Sequence, residues 1–456
     1  MSEDTAEPFD TTSEGDGLPL NPTQEQQWLA LQRGYGRARL WADAGKLDPE
    51  LLIKACLIDH RYDQQVEDLR ADWLWSVVKA SNLTKALGDA ILAKEAAGDE
   101  LCWQVTELAI LLARDGSEQF RQWVRRGVDA QPHDGFLTVL QEGLIRLDGE
   151  PAVLKVAAIW GRWLQDNPES EDDSARELVE FVDDWFEASV GRSMLAASDD
   201  PDIQRFVDAS DRSVTAFALQ QANARQSVAD SFTVTAEPDG NAVVAKAAEP
   251  GASCFRLKRW GLKASETDLQ TVEAAIRSES RPEVLRRLLA VFEEVDAPDL
   301  IDRLLELCDH PDLDVRWAAL TAGGRNADDR VRQFALRRLR PRGGPDSGAV
   351  SEALQLLVLS AQSGDEVAIL QAAVSDNVDV SHNWFLTIIQ IWGANDQLDA
   401  RQLALACYQA TPCPLCRRHA VEELQRLNAV PSWMRAEAQF DVDELTRQAA
   451  TPTEDR

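Results

Sequence analysis

Apolar residues recur at helical spacing along most of the chain. Between positions 64 and 79, one apolar stripe at i, i+3, i+7 and i+11 is formed by Val66, Leu69, Trp73 and Val77. Most such runs last roughly 10–16 residues and stop at Gly, Asp-Gly or Pro, which end helices. Strand-like alternation is rare. The pattern therefore predicts short helices joined by short links, as in helical hairpins.

Two Asp-Gly stops indicate a repeat. They end at Gly116 and Gly149, 33 residues apart, and each stands between two apolar helices. A glycine there suits a left-handed helix end, which a side chain would oppose. A helix-turn-helix unit of this length is typical of an α-solenoid.

A clearer unit lies in the second half, in the stretch DHPDLDVRWAAL from Asp309 to Leu320. Pro311 prevents the preceding helix from continuing, and Asp312 or Asp314 can cap the next helix. Val315 then begins a packed face rich in alanine. This stretch resembles the core of a HEAT repeat, particularly the bacterial HEAT-like type first described in phycobilisome lyases.

The same short motif, an apolar residue followed by arginine, recurs along the chain. Leu285-Arg286 precedes Val315-Arg316 by 30 residues, and Val331-Arg332 follows it by 16. Cys416-Arg417 repeats this motif near the C-terminus. The resemblance covers 257–339 well and implies an all-α fold, an armadillo-type α-solenoid of HEAT-like helical hairpins.

Composition divides this predicted solenoid into two blocks. We expect an N-terminal helical-repeat block at 24–228 and a C-terminal HEAT-repeat block at 253–448. The segment 229–252 has two Glu-Pro pairs, an Asp-Gly and no helical stripe, so it is interpreted as a linker or irregular loop. A short hairpin between Phe-Thr-Val-Thr and Ala-Val-Val-Ala is the alternative there. Residues 1–23 are expected to form a disordered acidic tail and 449–456 a C-terminal tail.

The net charge of the chain limits the classes of partner that we expect. The chain has 78 acidic against 47 basic residues, a net charge of -31. Such a surface disfavours nucleic acid and favours a protein partner with a basic surface. The first residues carry neither a basic nor an apolar run, so they resemble no targeting signal, and a cytoplasmic location is expected. No run is long enough for a membrane helix.

The segment from 253 to 342 departs from this acidity, because its basic and acidic residues nearly balance. Its arginines could line a concave groove that holds an acidic segment of a protein partner. The candidate partner-binding residues are Arg316, Arg332, Arg337 and Arg338. The alternative is that these arginines pair with acidic residues of successive repeats.

The stretch TPCPLCRRHAV from Thr411 to Val421 carries the candidate chemistry. Zinc is the one cofactor considered, with Cys407, Cys413, Cys416 and His419 as its ligands. A second interpretation is thiol redox chemistry at a helix N-terminus, where the dipole favours a thiolate. The third is simple packing, because Cys416-Arg417 occupies the repeat positions of Val315-Arg316. All three remain open.

Catalysis has little support in the sequence. The histidines are dispersed, and there is no Gly-rich phosphate loop, no zinc-protease motif and no nucleophile elbow. We therefore expect a non-enzymatic protein-interaction scaffold that uses the concave face of the solenoid. The alternatives are a redox or zinc-stapled protein centred on Cys413 and Cys416, and a nucleic-acid-related HEAT-like protein similar in architecture to the alkylpurine glycosylases.

Overall fold

The structure is a computed structural model that describes residues 19–61, 70–97, 101–130, 138–167, 173–186, 190–215, 238–339, 347–372 and 378–451. All regular structure in these ranges is helical, which confirms the predicted all-α class. None of the helices there is long and apolar enough to cross a membrane.

The chain divides into two compact units, one from Asn21 to Thr233 and the other made of Val234–Arg456 together with Met1–Leu20. The helices of the first, N-terminal unit are α1 Gln24–Arg33, α2 Arg37–Asp43, α3 Pro49–Leu57, α4 Arg70–Ala80, α5 Thr84–Ala96, α6 Trp103–Arg114, α7 Glu118–Ala130, α8 Val139–Asp148, α9 Glu150–Asp166, α10 Asp173–Trp185, α11 Val190–Ala196 and a helical stretch α12 at 201–215.

The second, C-terminal unit continues the series from Gly240. Its α-helices are α13 Gly240–Ala247, α14 Cys254–Gly261, α15 Glu266–Ser278, α16 Pro282–Leu289, α17 Ile301–Leu307, α18 Leu313–Gly323, α19 Asp329–Leu339, α20 Ser347–Leu356, α21 Glu366–Ala372, α22 Val378–Ala394, α23 Ala400–Ala410, α24 Pro414–Arg426, α25 Ser432–Ala438 and α26 Glu444–Ala450. Two short 3-10 helices lie at Ala290–Phe292 and Pro298–Leu300.

Within each unit, many helices pack against the helix two places along the chain. In the N-terminal unit α2, α4, α6 and α8 contact one another in order, and α1, α3 and α5 do the same. In the C-terminal unit one layer runs from α16 through α18, α20, α22 and α24 to α26, and a second runs from α17 through α19 and α21 to α23. This order of contacts is the one expected of stacked helical hairpins.

Local signals place the helix ends where the sequence predicts them. The Asp312 carboxylate caps α18, accepting hydrogen bonds from the backbone N–H groups of Asp314 at 3.0 Å and Val315 at 3.1 Å. The two predicted Asp-Gly stops have positive φ, +103° at Gly116 and +65° at Gly149. A residue with a Cβ would be strained at either position.

The interval predicted as a linker, 229–252, contains a helix. Residues 229–237 lie outside the described part, but Gly240–Ala247 forms α13, with the Asp239 carboxylate capping the Ala242 N–H at 2.8 Å. A side chain at Gly240 would collide with the carbonyl oxygen of Asp268, so glycine allows α13 to approach α15 closely. The Ala-Val-Val-Ala piece of the hairpin alternative is therefore helical, because burial of Val243 and Ala247 decides its conformation.

The predicted terminal tails are described only at their inner ends. Residues 1–18 and 452–456 lie outside the described part of the chain. Thr23, expected in the N-terminal tail, is the N-cap of α1 and forms a capping box with Gln26. Ala449 and Ala450, at the start of the expected C-terminal tail, belong to α26.

Asparagine side chains, one of them buried, connect successive hairpins of the C-terminal unit. The Asn326 side-chain oxygen accepts a hydrogen bond from the buried N–H of Ala297 at 2.8 Å, and its NH2 group donates to the carbonyl of Ala322 at 2.8 Å. Asn395 donates in the same way to the carbonyl oxygens of Val358 and Ile391, each at 2.7 Å. Each amide thus joins the end of its own helix to the preceding repeat.

We expect Asn326→Ala to lower the free energy of unfolding by about 1–3 kcal/mol, because it leaves the buried Ala297 N–H without its acceptor. Denaturant unfolding followed by circular dichroism measures this loss. The matched control is Asn241→Ala in the exposed face of α13, which should change stability by no more than about 0.5 kcal/mol. Equal effects of the two substitutions would show that the Asn326 bridge contributes nothing.

Candidate functional site

The Cys-x-x-Cys pair lies at the start of α24. Cys413 is the N-cap residue, with extended backbone, and Pro414 occupies the first helical position, where a missing N–H costs nothing. The Cys413 N–H donates to the Thr411 hydroxyl at 3.2 Å, which holds the turn. Cys416 follows three residues later, on the side of the helix that Cys413 faces. Both thiols are buried, with Cys413 3% exposed and Cys416 fully covered.

A histidine from another helix completes this cluster. His382 projects from α22, which packs beside α24 in the same layer, and its Nδ1 lies 3.7 Å from the Cys416 Sγ. The potential ligand atoms of His382, Cys413 and Cys416 all lie within 4.8 Å of one another. The imidazole is partly exposed, whereas the two thiols are not. We call these three residues the thiol-imidazole cluster.

The other two predicted ligands lie apart from this cluster. His419 is on an exposed side of α24, where its Nδ1 is 3.2 Å from an oxygen of Glu422, and its side chain is 42% exposed. Cys407, on α23, is buried, and its thiol donates to the backbone carbonyl of Cys416 at 3.6 Å. The sequence therefore identified two of the three clustered residues and named His419 where the structure places His382.

A signal for His382 was present in the repeat spacing. His382 precedes Cys416 by 34 residues, close to the 33-residue separation of the two Asp-Gly stops. Residues one unit apart in a stack of hairpins meet on neighbouring helices of the same layer. Only a search for partners one repeat away, rather than along the same helix, would have found this histidine.

The pKa values of the two thiols in the cluster are shifted in opposite directions. Hydrogen bonding from Cys416 and from His382 lowers the pKa of Cys413 well below that of an ordinary thiol, despite burial. The hydrogen bond to Cys413, together with burial, raises the pKa of Cys416 strongly. Burial also raises the pKa of Cys407. The cluster thus favours a thiolate on Cys413 that is stabilised by its neighbours.

A buried ion pair fixes the turn that carries Cys413. The Arg417 guanidinium donates two hydrogen bonds, of 2.8 and 2.9 Å, to the Asp441 carboxylate. Both side chains are fully buried. Its third bond, at 3.2 Å, goes to the carbonyl of Pro412, one residue before Cys413. Burial raises the pKa of Asp441, and the charge of Arg417 opposes that shift. Arg417 therefore ties the cysteine turn to the segment before α26.

Three of the four arginines predicted to bind a partner form ion pairs within the C-terminal unit. Arg316 and Arg338 share Glu352, at 3.1 and 2.5 Å, and Arg338 also contacts Asp309. Arg332 holds Asp365 with two hydrogen bonds of 2.8 and 2.7 Å. The pairs with Glu352 and Asp365 join α18 and α19 to the following part of the chain, and the Asp309 contact joins α19 to the turn before α18. The charges of these arginines are therefore largely balanced by the chain itself.

Arg337 differs from the other three. It is exposed on α19, and its guanidinium lies 6.0 Å from the centre of the Phe334 ring. A single exposed arginine of this kind does not form a basic groove. Partner binding by the four arginines stays a prediction.

The N-terminal unit presents an apolar groove between α3 and α5, which we call the α3–α5 groove. Its volume is about 840 Å³. One wall is an alanine stripe on α5 at i, i+4, i+7 and i+11, and the other is a row of larger apolar residues on α3. The lining residues are Pro49, Glu50, Ile53, Lys54, Leu57, Ile58, Leu83, Ala86, Ala90, Ala93, Lys94 and Ala97.

Comparison with protein-family models, curated proteins and solved structures finds no match for this chain. The resemblance to HEAT-like proteins accordingly stays a prediction from the repeated motif around Val315 and Arg316.

In the reduced, metal-free protein, we expect thiolate absorbance near 240 nm to persist below pH 7, because hydrogen bonds stabilise the Cys413 thiolate. A spectrophotometric pH titration measures it. Cys413→Ser should abolish this low-pH thiolate signal. Cys308→Ser is the matched control and should leave it unchanged, because burial raises the pKa of Cys308 to about 12.

The same shift predicts the pH dependence of stability. Because the pKa of Cys413 is lower in the folded than in the unfolded chain, its contribution is complete above the unfolded thiol pKa of about 8.5 and is lost as the pH falls. The free energies of unfolding of the wild type and of Cys413→Ser should therefore differ most above about pH 8.5, and the difference should shrink as the pH falls. A constant difference across pH would contradict the assignment of the thiolate.

Proposed function

We propose that this chain is a non-enzymatic protein-interaction scaffold that binds an amphipathic helix of a partner protein in the α3–α5 groove. The observation that supports the proposal is the groove itself, an apolar depression of about 840 Å³ between two successive helices of one layer. Stacked hairpins of the HEAT-like kind use such surfaces to hold partners.

The shape of the groove favours a helix as its occupant. The 13-residue α5 is about 20 Å long, which matches about four turns of a partner helix. The alanine stripe of Ala86, Ala90 and Ala93 lets another backbone approach closely. Opposite it, Ile53 and Leu57 supply larger apolar surface for the partner's leucine-like side chains.

The charged residues at the groove favour an amphipathic partner helix that is acidic. Lys54 and Lys94 line the groove together with a single acidic residue, Glu50, in a chain whose net charge is -31. A partner helix with acidic residues beside its apolar face would be attracted to these lysines and would avoid repulsion at the groove. The arginines of the C-terminal unit support a partner site less well, because three of the four already have acidic partners.

A fluorescent helical peptide of about 14 residues, with leucines on one face and glutamates beside them, tests the groove. We expect Ala93→Arg to weaken its binding by at least about tenfold, since a charged side chain would enter an apolar contact worth at least about 1.4 kcal/mol. Fluorescence anisotropy gives the Kd.

The matched control is Ala96→Arg. Ala96 is also exposed on α5 but does not line the groove, so at a salt concentration that screens the added charge this variant should bind the peptide as the wild type does. Replacing the peptide's glutamates with lysines should weaken binding, most clearly at low salt. No binding by the wild type, or equal losses in the two arginine variants, would rule out the groove as a helix-binding surface.

A further inference from the structure

We infer that His382, Cys413 and Cys416 form a Zn²⁺ site that joins α22 to α24. This inference is independent of the proposed partner binding, because the cluster and the α3–α5 groove belong to different units of the chain. Two thiols and an imidazole are the donor types that zinc prefers in proteins. Each of the three residues offers one such atom to the same small volume.

The separation between the Cys416 sulfur and the His382 nitrogen fits a shared metal ion, and the remaining ligand atoms lie within 4.8 Å. Zinc lies about 2.3 Å from a thiolate sulfur and about 2.0–2.1 Å from an imidazole nitrogen, so tetrahedral ligands of these two kinds stand about 3.6 Å apart. The Cys416 Sγ and His382 Nδ1 are 3.7 Å apart. The three ligands found among the described residues leave one tetrahedral position for water or another donor.

The surroundings hold these ligands in place. On the α24 side, Arg417 fixes the turn before Cys413 through Pro412 and Asp441. On the α22 side, the buried Trp384, two residues after His382, donates from its indole nitrogen to the Ser351 hydroxyl at 2.9 Å. The two helices therefore present the ligands from anchored positions, as a metal site requires.

Burial distinguishes a metal site from a dithiol that exchanges disulfides with other proteins. Thiol-disulfide exchange needs a sulfur that an incoming thiolate can reach. Cys413 is only 3% exposed and Cys416 is covered completely, so a protein partner cannot approach either one. The imidazole of His382 is partly exposed, so the cluster is open to a small ion on that side.

Titration of the reduced, chelator-treated full chain with Co²⁺ tests this assignment. Wild-type protein should take up one Co²⁺ with the near-ultraviolet sulfur-to-cobalt bands of thiolate ligation, and Zn²⁺ should displace it. His382→Gln, Cys413→Ser and Cys416→Ser should each weaken Zn²⁺ binding at least about tenfold, since loss of an outer hydrogen-bond partner alone costs roughly 10–100-fold.

Two variants near the cluster serve as matched controls. His419→Gln removes the exposed histidine of the same helix, and Cys407→Ala removes a buried thiol that faces a backbone carbonyl. Both should bind Zn²⁺ like the wild type. Zn²⁺ should also raise the Tm of the wild type and of both controls, and that of His382→Gln by less at the same Zn²⁺ concentration. Circular dichroism of each metal-free variant confirms that it is folded.

The contrary results are distinct. Absence of Co²⁺ uptake by the folded wild type would overturn the site. Loss of binding in His419→Gln but not in His382→Gln would overturn this ligand set. A Cys413–Cys416 disulfide that forms readily in a glutathione buffer, with no metal bound by the reduced protein, would instead establish a redox pair and overturn the metal assignment.

Discussion

The fold depends on one constraint, which is that a single helical hairpin cannot bury its apolar face by itself. Many helices here pack against the helix two places along the chain, so that α18, α20, α22 and α24 form one continuous layer. Core residues such as Val315 and Cys416 are completely buried for this reason. Burial is shared between neighbours, and the order of the helices in sequence becomes their order in the stack.

Ion pairs connect parts of the chain in addition to apolar packing. Arg316 pairs with Glu352, Arg332 with Asp365 and Arg417 with Asp441, each pair joining a helix to a later part of the chain. A buried pair such as Arg417–Asp441 is costly to break, because either charge alone would remain without water or a partner. These three arginines of the repeated motif thus connect parts of the same unit, and their charges are largely balanced there.

Both candidate surfaces occur where two successive helices of a layer meet. Small side chains on α5 leave the α3–α5 groove open, whereas polar ligands bring α22 and α24 together around the thiol-imidazole cluster. In both places two helices of one layer lie side by side, and the side chains on their facing sides differ.

The sequence by itself determined the helical class, the helix ends at Gly116, Gly149 and Asp312, and the placement of Cys413 at a helix start. These features depend on local backbone preferences and periodicity, which neighbouring residues fix. Only the tertiary structure decided that His382, and not His419, joins the two cysteines, and that residues 240–247 form a helix. Those outcomes depend on contacts between helices about one repeat apart or on burial against another helix, and no local pattern carries that information.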